Sequence, residues 1–179
     1  QDSVAHWYDT AALVRSPSAP KYLVQALSPA YGGMDRGAML AGGVLVNAVQ
    51  FSTAPTRAFE HLFGITPTAP TEKLHKPYSH HLVTARLPRS PFDEAARVPG
   101  LEDTHAAGCL HELVRRLGTE RPWSVLLEAP AGIQSANEGR DLDVVVGLLS
   151  NSGYCVKHAT VDARLFQLPC LHHSMYFLA

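Results

Sequence analysis

The stretch Y-L-V-Q-A-L-S-P-A-Y-G-G-M-D-R-G-A-M-L, residues 22–40, decides the fold. Its first part, Tyr22 to Leu27, is a short apolar run that ends at a turn, as buried strands do. The glycine pair Gly32-Gly33 then opens a segment of helical length, Met34 to Leu40. A strand, a glycine turn and a helix in this order predict the first unit of an open parallel sheet.

The same alternation continues along the chain and indicates parallel strands joined by crossover helices. The predicted strands are Tyr22–Leu27, Val44–Phe51, Leu82–Ala85, Ser124–Glu128, Cys155–Asp162 and Ser174–Leu178. The predicted helices are Met34–Leu40, Thr56–Phe63, Thr104–Leu117 and Asp141–Asn151. Left-handed helix caps are predicted at Gly64, Gly118 and Gly153. The segment from Arg86 to Gly100, rich in proline and charge, is predicted to be a loop.

Composition limits the class of protein. The chain has 179 residues, 46% of them hydrophobic, and a net charge of -1. These values suit one globular domain with a real core, without the basic excess of many nucleic-acid-binding proteins. We predict a domain over residues 21–179, preceded by an extension over residues 1–20. No apolar run reaches the roughly 20 residues that cross a bilayer, so no membrane partner is expected.

The cysteines and the first residue bear on localisation. Cys109, Cys155 and Cys170 are odd in number and far apart, which favours a reducing, intracellular compartment over a disulfide framework. Cys109 and Cys155 are predicted to be small core residues. Position 1 is Gln rather than Met, so the chain is expected to be processed, trimmed or a fragment. Removal of an organellar presequence would imply a mitochondrial or other organellar matrix.

Four segments carry a further signal: residues 26–37 with A-G-G at 41–43, A-V-Q-F-S at 48–52, the stretch 81–103 and the stretch 126–179. In order and spacing they resemble the C5-cytosine methyltransferases, which act on DNA or, in one branch, on tRNA. The family blocks concerned are D-L-F-x-G-x-G-G-x-x-x-G, A-V-E-x-D, P-P-C-Q-x-F-S with G-L-D-D, and L-L-E-N-V-x-G with G-Y-x-V. The resemblance implies a Rossmann-like class I methyltransferase fold of the α/β type. Its mostly parallel sheet would carry helices on both faces. The fold would be truncated at the C-terminus and would lack the family's target-recognition region.

The resemblance places an arginine where the family has its nucleophile. Methyl transfer to carbon 5 of cytosine needs a thiolate that adds to carbon 6. Arg89 occupies that position within Pro88–Asp93, and a guanidinium, which stays protonated, cannot be the nucleophile. Arg89 is therefore interpreted as a solvated loop charge or as a contact to phosphate, carboxylate or carbonyl groups. Glu128 keeps the position of the carboxylate that hydrogen-bonds the target base.

The turn after the first strand is the implied site of S-adenosylmethionine, since backbone without side chains lets a ligand approach closely. Three of its residues differ from the family pattern: Ala26, Ser28 and Ala30. The residues that remain as a vestigial cofactor site are Tyr31, Gly32, Gly33 and Gln50. Gln50 is a neutral amide where the family has a carboxylate for the ribose hydroxyls. A plain tight turn into a helix is the competing interpretation of the glycine pair. We predict no cofactor, with S-adenosylmethionine as the alternative.

The surroundings of Glu128 are also changed. Leu171 and His172 stand where the family has arginines that hold this carboxylate, so Glu128 is interpreted as an ordinary cap or ion-pair partner. Cys170 replaces a glutamine of the last block and is not expected to serve as the nucleophile. The ten histidines show no metal-ligand spacing, so no metal is predicted. As polar surface that becomes cationic below neutral pH, they suit contact with an acidic partner or RNA.

These changes predict an enzyme that has lost its chemistry. The predicted function is a non-catalytic methyltransferase-like domain, a pseudoenzyme, that acts as a structural or scaffolding subunit. Its partners would be other protein subunits of a larger protein or ribonucleoprotein assembly, with contact to RNA. The alternative is the S-adenosylmethionine-binding subunit of a split cytosine-C5 DNA or RNA methyltransferase whose missing residues come from another chain. Saturable binding of S-adenosylmethionine distinguishes the two.

Overall fold

The computed structural model describes residues 22–28, 32–50, 56–69, 79–93, 96, 99–166 and 173–179. The predicted extension over residues 1–20, the cofactor residue Tyr31 and Cys170 lie outside the described residues. Within the described residues, a six-stranded sheet carries α-helices on its faces. None of the helices in these ranges is long and apolar enough to span a bilayer.

The elements follow the predicted order. The strands are β1 Tyr22–Leu27, β2 Gly43–Val49, β3 Leu82–Arg86, β4 Ser124–Pro130, β5 Lys157–Asp162 and β6 His173–Leu178. The helices are α1 Gly33–Leu40, α2 Thr56–Phe63, α3 Thr104–Glu120 and α4 Arg140–Asn151. Short 3-10 turns lie at Ser90–Phe92, Gly100–Glu102, Ala131–Gln134, Ala136–Gly139 and Ala163–Phe166. The bounds of β1 and α2 are those predicted from the sequence.

The sheet is mostly parallel, with the strand order β2-β1-β3-β4-β6-β5. Strands β2, β1, β3 and β4 run in the same direction, and β6 is antiparallel to both β4 and β5. The order reverses between β1 and β3, because the chain moves from β1 outward to β2 and then returns to the other side of β1. Ligands of open α/β sheets bind at such a reversal, outside the carboxyl ends of the strands.

Helices cover both faces of the sheet, as predicted. Because side chains alternate along a strand, strands β1, β2 and β3 contribute to two cores, one on each face. On one face, Val83 and Leu127 belong to a core with residues of α3 and α4. On the other face, Val24, Ala26 and Ala48 of the sheet form a second core. They pack with Ala38 of α1 and Phe59 of α2, which are both buried. This confirms the Rossmann-like class of fold.

Helix α3 does not end at the predicted glycine. Gly118 lies inside the helix, and the left-handed residue after its end is Arg121, with φ 45°. The helix continues because buried Arg116 donates from Nη1 to Oε1 of Glu120 at 2.8 Å. The other two predicted caps are correct, since Gly64 and Gly153 have φ of 66° and 94°.

Strand β5 begins later than predicted. Its pairing with β6 starts at Lys157, opposite Leu178, so Cys155 precedes the strand. The thiol of Cys155 is exposed, whereas that of Cys109 is buried. The prediction of a core position is therefore correct for Cys109 and wrong for Cys155.

Candidate functional site

Arg89 and Glu128, which the sequence places at the nucleophile and base-binding positions, line one pocket. The pocket has a volume of about 200 Å³. It is formed by the end of β3 with the turn Ser90–Phe92, by the end of β4 with the turn Ala131–Gln134, and by the start of β6. It therefore lies at the carboxyl edge of the parallel strands, where the fold class places ligands.

Glu128 is buried in this pocket and fixed from two sides. The residue is only 8% exposed to solvent. Ser174 at the start of β6 donates a hydrogen bond from Oγ to Oε1 at 2.9 Å. Arg86, the register partner of Glu128 across β3 and β4, places Nε 3.8 Å from Oε2. Ser174 and Arg86 thus contact the carboxylate that sequence reasoning left without donors.

Tyr176 lies opposite Glu128 in the register of β4 with β6. Burial and the negative charge of Glu128 both raise the pKa of the Tyr176 phenol. The phenol therefore keeps its proton at neutral pH and adds no second negative charge beside the carboxylate. Sequence reasoning did not identify this residue, because its position depends on antiparallel pairing across strands distant in the chain.

Arg89 lies at the rim of the pocket. Its side chain is 59% exposed, and Nε lies 3.5 Å from Oδ1 of Asp93, which is itself 54% exposed. Ion pairs exposed to this degree contribute about 0–1 kcal/mol, because water screens them and holding both side chains costs entropy. Arg89 is thus a solvent-accessible cation in a loop, and its planar donors can reach an anionic or carbonyl group brought to the rim.

One glycine fits the loop of Arg89 against the turn that follows Glu128, and a second fits the next turn of the chain against α4. A Cβ added at Gly132 would overlap the backbone carbonyl of Phe92, which lines the same pocket. A Cβ added at Gly100, where φ is 59°, would overlap the carboxylate of Asp141. That carboxylate accepts hydrogen bonds from the Leu101 amide at 2.8 Å and from the Asn137 side chain. Two walls of the pocket therefore meet by close backbone approach at Gly132.

Replacing Gly132 by alanine is expected to lower the free energy of unfolding by about 1–3 kcal/mol, because the new methyl group overlaps backbone that cannot move freely. Urea unfolding measures the change. Gly147→Ala in α4 is the matched control, since no atom lies within 4 Å of its added Cβ, and helix propensity predicts a gain of up to about 1 kcal/mol. Equal stability of Gly132→Ala and the wild type would show that the two loops are not interlocked.

The first turn retains a glycine backbone that is open on one side. Gly32 has φ 74°, and a Cβ there would overlap the rings of Phe63 and Phe59, so local packing requires this glycine. At Gly33, no atom of the described residues lies within 4 Å of an added Cβ, and the residue is exposed, so its backbone is accessible. The main-chain N–H of Gln50, just after β2, donates to the main-chain carbonyl of Thr68 at 2.9 Å.

Asp35 in the first turn of α1 is a further acid beside this turn. It is 1% exposed, and Thr84 of β3 donates a hydrogen bond to its Oδ1. Burial raises its pKa to about 6, while the Thr84 hydrogen bond acts in the opposite direction. Sequence reasoning missed Asp35, although its spacing of three residues from the apolar Ala38 places both on one face of the helix.

His80 and His81 both contact other residues of the fold. His80 is 3% exposed, with Nδ1 3.9 Å from Oε2 of Glu120. His81 accepts from the Leu23 amide through Nδ1 at 3.0 Å and stacks edge-on against Trp123. Within the described ranges, no three His, Cys, Asp or Glu side chains are placed to hold a metal ion.

Comparison with known proteins gives a family match and related structures. A family model described as C-5 cytosine-specific DNA methylase matches residues 27–177. The type II methyltransferase M.MspI of Moraxella sp is 25% identical over 150 residues, which are 83% of this chain and 36% of that protein. The type II methyltransferase M.DsaV of Dactylococcopsis salina is 29% identical over 141 residues, 77% of this chain and 40% of that protein. The chain thus spans well under half of these relatives.

Solved structures show the same fold. The Dnmt2 methyltransferase of S. pombe superposes with a TM-score of 0.61 at 17% identity, covering 89% of this chain and 49% of that one. A putative DNA modification methyltransferase encoded within a prophage of E. coli superposes with a TM-score of 0.67 at 18% identity. That match covers 88% of this chain and 46% of the other.

Two expectations from the sequence are contradicted by these comparisons. The matching model describes a methylase and the relatives are named methyltransferases, so the expectation that the chain is not an enzyme is wrong. The expectation that it has no cofactor is also wrong, since this family takes its methyl group from S-adenosylmethionine. Both rested on changes at single positions such as Arg89, whereas the similarity extends over residues 27–177.

The sequence, the fold and the comparisons agree on the family of the chain. The four segments that resemble the C5-cytosine methyltransferases contain the carboxyl ends of β1, β2, β3 and β4, and the last segment also contains β5 and β6. The family model covers most of the chain, from Leu27 in β1 to Phe177 in β6. The chain belongs to the C-5 cytosine-specific DNA methylase family.

Proposed function

We propose that the chain is the S-adenosylmethionine-binding portion of a cytosine-C5 methyltransferase. It works with a further segment or a second protein chain that supplies target recognition and the attacking thiolate. One observation carries this proposal: the buried carboxylate of Glu128 and the rim cation Arg89 share a pocket at the carboxyl edge of the sheet. The coverage of M.MspI and M.DsaV, 36% and 40%, supports the need for a second portion.

The residues of the first turn fit a cationic methyl donor. The exposed backbone of Gly33 leaves room for a ligand, since no atom in the described part of the chain lies within 4 Å of an added Cβ. Asp35 supplies an acid in the same helical turn, and the amide of Gln50 offers one acceptor and two donors for ribose hydroxyls. When bound, S-adenosylmethionine supplies an electrophilic methyl group. The chain's own contribution is to bind the donor at the point where the strand order reverses.

The pocket around Glu128 fits a cytosine base. A carboxylate accepts a hydrogen bond from the exocyclic amino group of cytosine, and Ser174 and Arg86 hold Glu128 in one orientation. Arg89 cannot add to the ring, because a guanidinium stays protonated. Its position at the rim suits a phosphate of the substrate backbone, whether DNA or RNA. The thiolate must therefore come from the remaining portion of the enzyme.

Titration calorimetry with S-adenosylmethionine tests the proposed cofactor site. The wild-type chain is expected to bind saturably at micromolar concentration. Gly33→Val is expected to weaken binding at least about tenfold, or 1.4 kcal/mol, because its side chain fills the open approach. Gly37→Ala in the same helix, also with no atom within 4 Å of the added Cβ, is the matched control and should bind as the wild type does. Absence of saturable binding up to millimolar donor would refute the proposal, as would equal losses in both variants.

Reconstitution tests the proposed second portion. The chain is purified with and without proteins that travel with it, and transfer of a labelled methyl group to cytosine is followed on DNA and on RNA. Transfer is expected only with the partner, and the substrate that becomes labelled identifies the nucleic acid. Transfer by the chain alone would show that the thiolate is not supplied from outside. Glu128→Gln in the active combination should lower transfer, because the carboxylate is replaced by a neutral amide.

A further inference from the structure

Asp35 is a buried carboxylate placed beneath the proposed cofactor turn. Thr84, which donates to it, is the register partner of Ala26. Ala26 in β1 and Thr84 in β3 form one of the register pairs across the reversal of the strand order. Asp35 therefore lies between the start of α1 and the sheet, next to the point where the strand order reverses.

The charged groups near Asp35 are directed elsewhere. On β3, Arg86 lies on the face of Thr84 but pairs with Glu128. On β1, the Tyr22 hydroxyl donates to the carbonyl of Ala38. Strand β2 carries no titratable side chain, and the neighbouring charged residues of α1 and α2 are exposed: Arg36, Arg57, Glu60 and His61. Burial, with no contribution from a charged neighbour, raises the pKa of Asp35 to about 6.

A buried acid with no basic partner among the described residues is costly to the folded chain, because burial disfavours the charged form. At pH 7 the Asp35 carboxylate is nonetheless mostly ionised, since its pKa is about 6. A buried negative charge acts through a medium of low dielectric, so its field reaches the turn above with less screening than a surface charge would suffer. The affinity of a ligand bound on Gly33 therefore depends on the charge that the ligand carries.

We propose that ionised Asp35 makes this site selective for the cationic methyl donor over its neutral product. The proposal rests on the proposed function, because it concerns the same turn. The sulfur of S-adenosylmethionine is a sulfonium. When the methyl group leaves for carbon, the electron pair of the broken carbon–sulfur bond stays on sulfur, and S-adenosylhomocysteine is a neutral thioether. The charge of Asp35 attracts the first form and not the second, which favours exchange of product for fresh donor.

Proton linkage gives this selectivity a signature in pH. Donor binding stabilises the ionised form of Asp35, so binding near pH 6 releases the proton from the fraction that still carries it, up to about half a proton per site. S-adenosylhomocysteine carries the same amino, carboxylate and adenosine groups without the sulfonium. The ratio of the two affinities therefore cancels the ionisation of every group that the ligands share.

The test is titration calorimetry of both ligands between pH 5 and pH 8, in buffers of different ionisation enthalpy. For the wild type, the affinity ratio in favour of the donor should rise about five- to tenfold over this range, with proton release on donor binding only. Asp35→Asn should hold the ratio constant. Thr84→Val keeps the carboxylate but removes the hydrogen bond that lowers its pKa, so the rise should move to higher pH. This second variant serves if Asp35→Asn fails to fold.

The outcomes separate this inference from the function on which it rests. Saturable binding of both ligands with a ratio that does not change with pH in the wild type overturns the role of Asp35 and leaves the cofactor site in place. A ratio that still rises in Asp35→Asn assigns the effect to another group and also overturns it. If neither ligand binds at any pH, both the inference and the proposed function fail.

Discussion

Replacing Arg116 by alanine is expected to lower the free energy of unfolding by about 3–5 kcal/mol, because the buried carboxylate of Glu120 loses the guanidinium that donates to it. Arg116 is 2% exposed, and Glu120 is 1% exposed. The guanidinium donates from Nη1 to Glu120 and from Nε to Glu112, both at 2.8 Å. Removing it takes away the pair that also carries α3 past Gly118. Urea unfolding at pH 7 measures the change.

Arg115 provides the matched control for this prediction. It lies in the same helix and pairs with the same Glu112, but it is 41% exposed. Arg115→Ala is expected to cost less than about 1 kcal/mol, since exposed ion pairs are weak. Similar losses in the two variants would show that burial does not decide the strength of this network.

Replacing Asp35 by asparagine is expected to raise the free energy of unfolding at pH 7.5 by about 3 kcal/mol. The pKa of Asp35 rises from 3.8 to about 6 on folding, and each unit corresponds to about 1.4 kcal/mol. Since the folded pKa is the higher one, the contribution of Asp35 to stability is full below pH 3.8 and is lost as pH rises through 6. Asparagine keeps an oxygen for the Thr84 hydroxyl and does not ionise.

Urea unfolding of both proteins at pH 7.5 and near pH 4 measures this effect. The gain from Asp35→Asn should be present at pH 7.5 and nearly absent near pH 4. Asp93→Asn, at a position that is 54% exposed, is the control and should change stability little at either pH. A loss of stability in Asp35→Asn at pH 7.5, or a gain of the same size near pH 4, would contradict the prediction.

Local patterns were sufficient to predict the kind and order of the elements. The apolar run of β1 and the helical segment of α2 have the predicted bounds, and α2 ends just before Gly64, whose φ is 66°. Bounds failed where a distant partner decides them. Strand β4 continues to Pro130, since Ala129 and Pro130 pair with β6. Helix α3 continues to Glu120, since its last turn carries the buried ion pair.

The candidate site was predictable only in part, for the same reason. The family resemblance identified Arg89 and Glu128, and the structure places both in one pocket. It did not identify Ser174 or Arg86, whose contacts with Glu128 depend on the register of three strands. Nor did it identify Asp35, which meets Thr84 across 49 residues of chain. Such contacts require the strand order, which one sequence without structure does not specify.

The place of β6 in the sheet constrains the order in which the chain can assemble during translation. Strand β6 lies between β4 and β5, although it is synthesised after both. At about 5–20 residues per second, β5 leaves the ribosome roughly one to three seconds before the strand that attaches it to the sheet. During that interval the outer edge of β4 exposes unpaired backbone groups, which another nascent chain or a chaperone can bind.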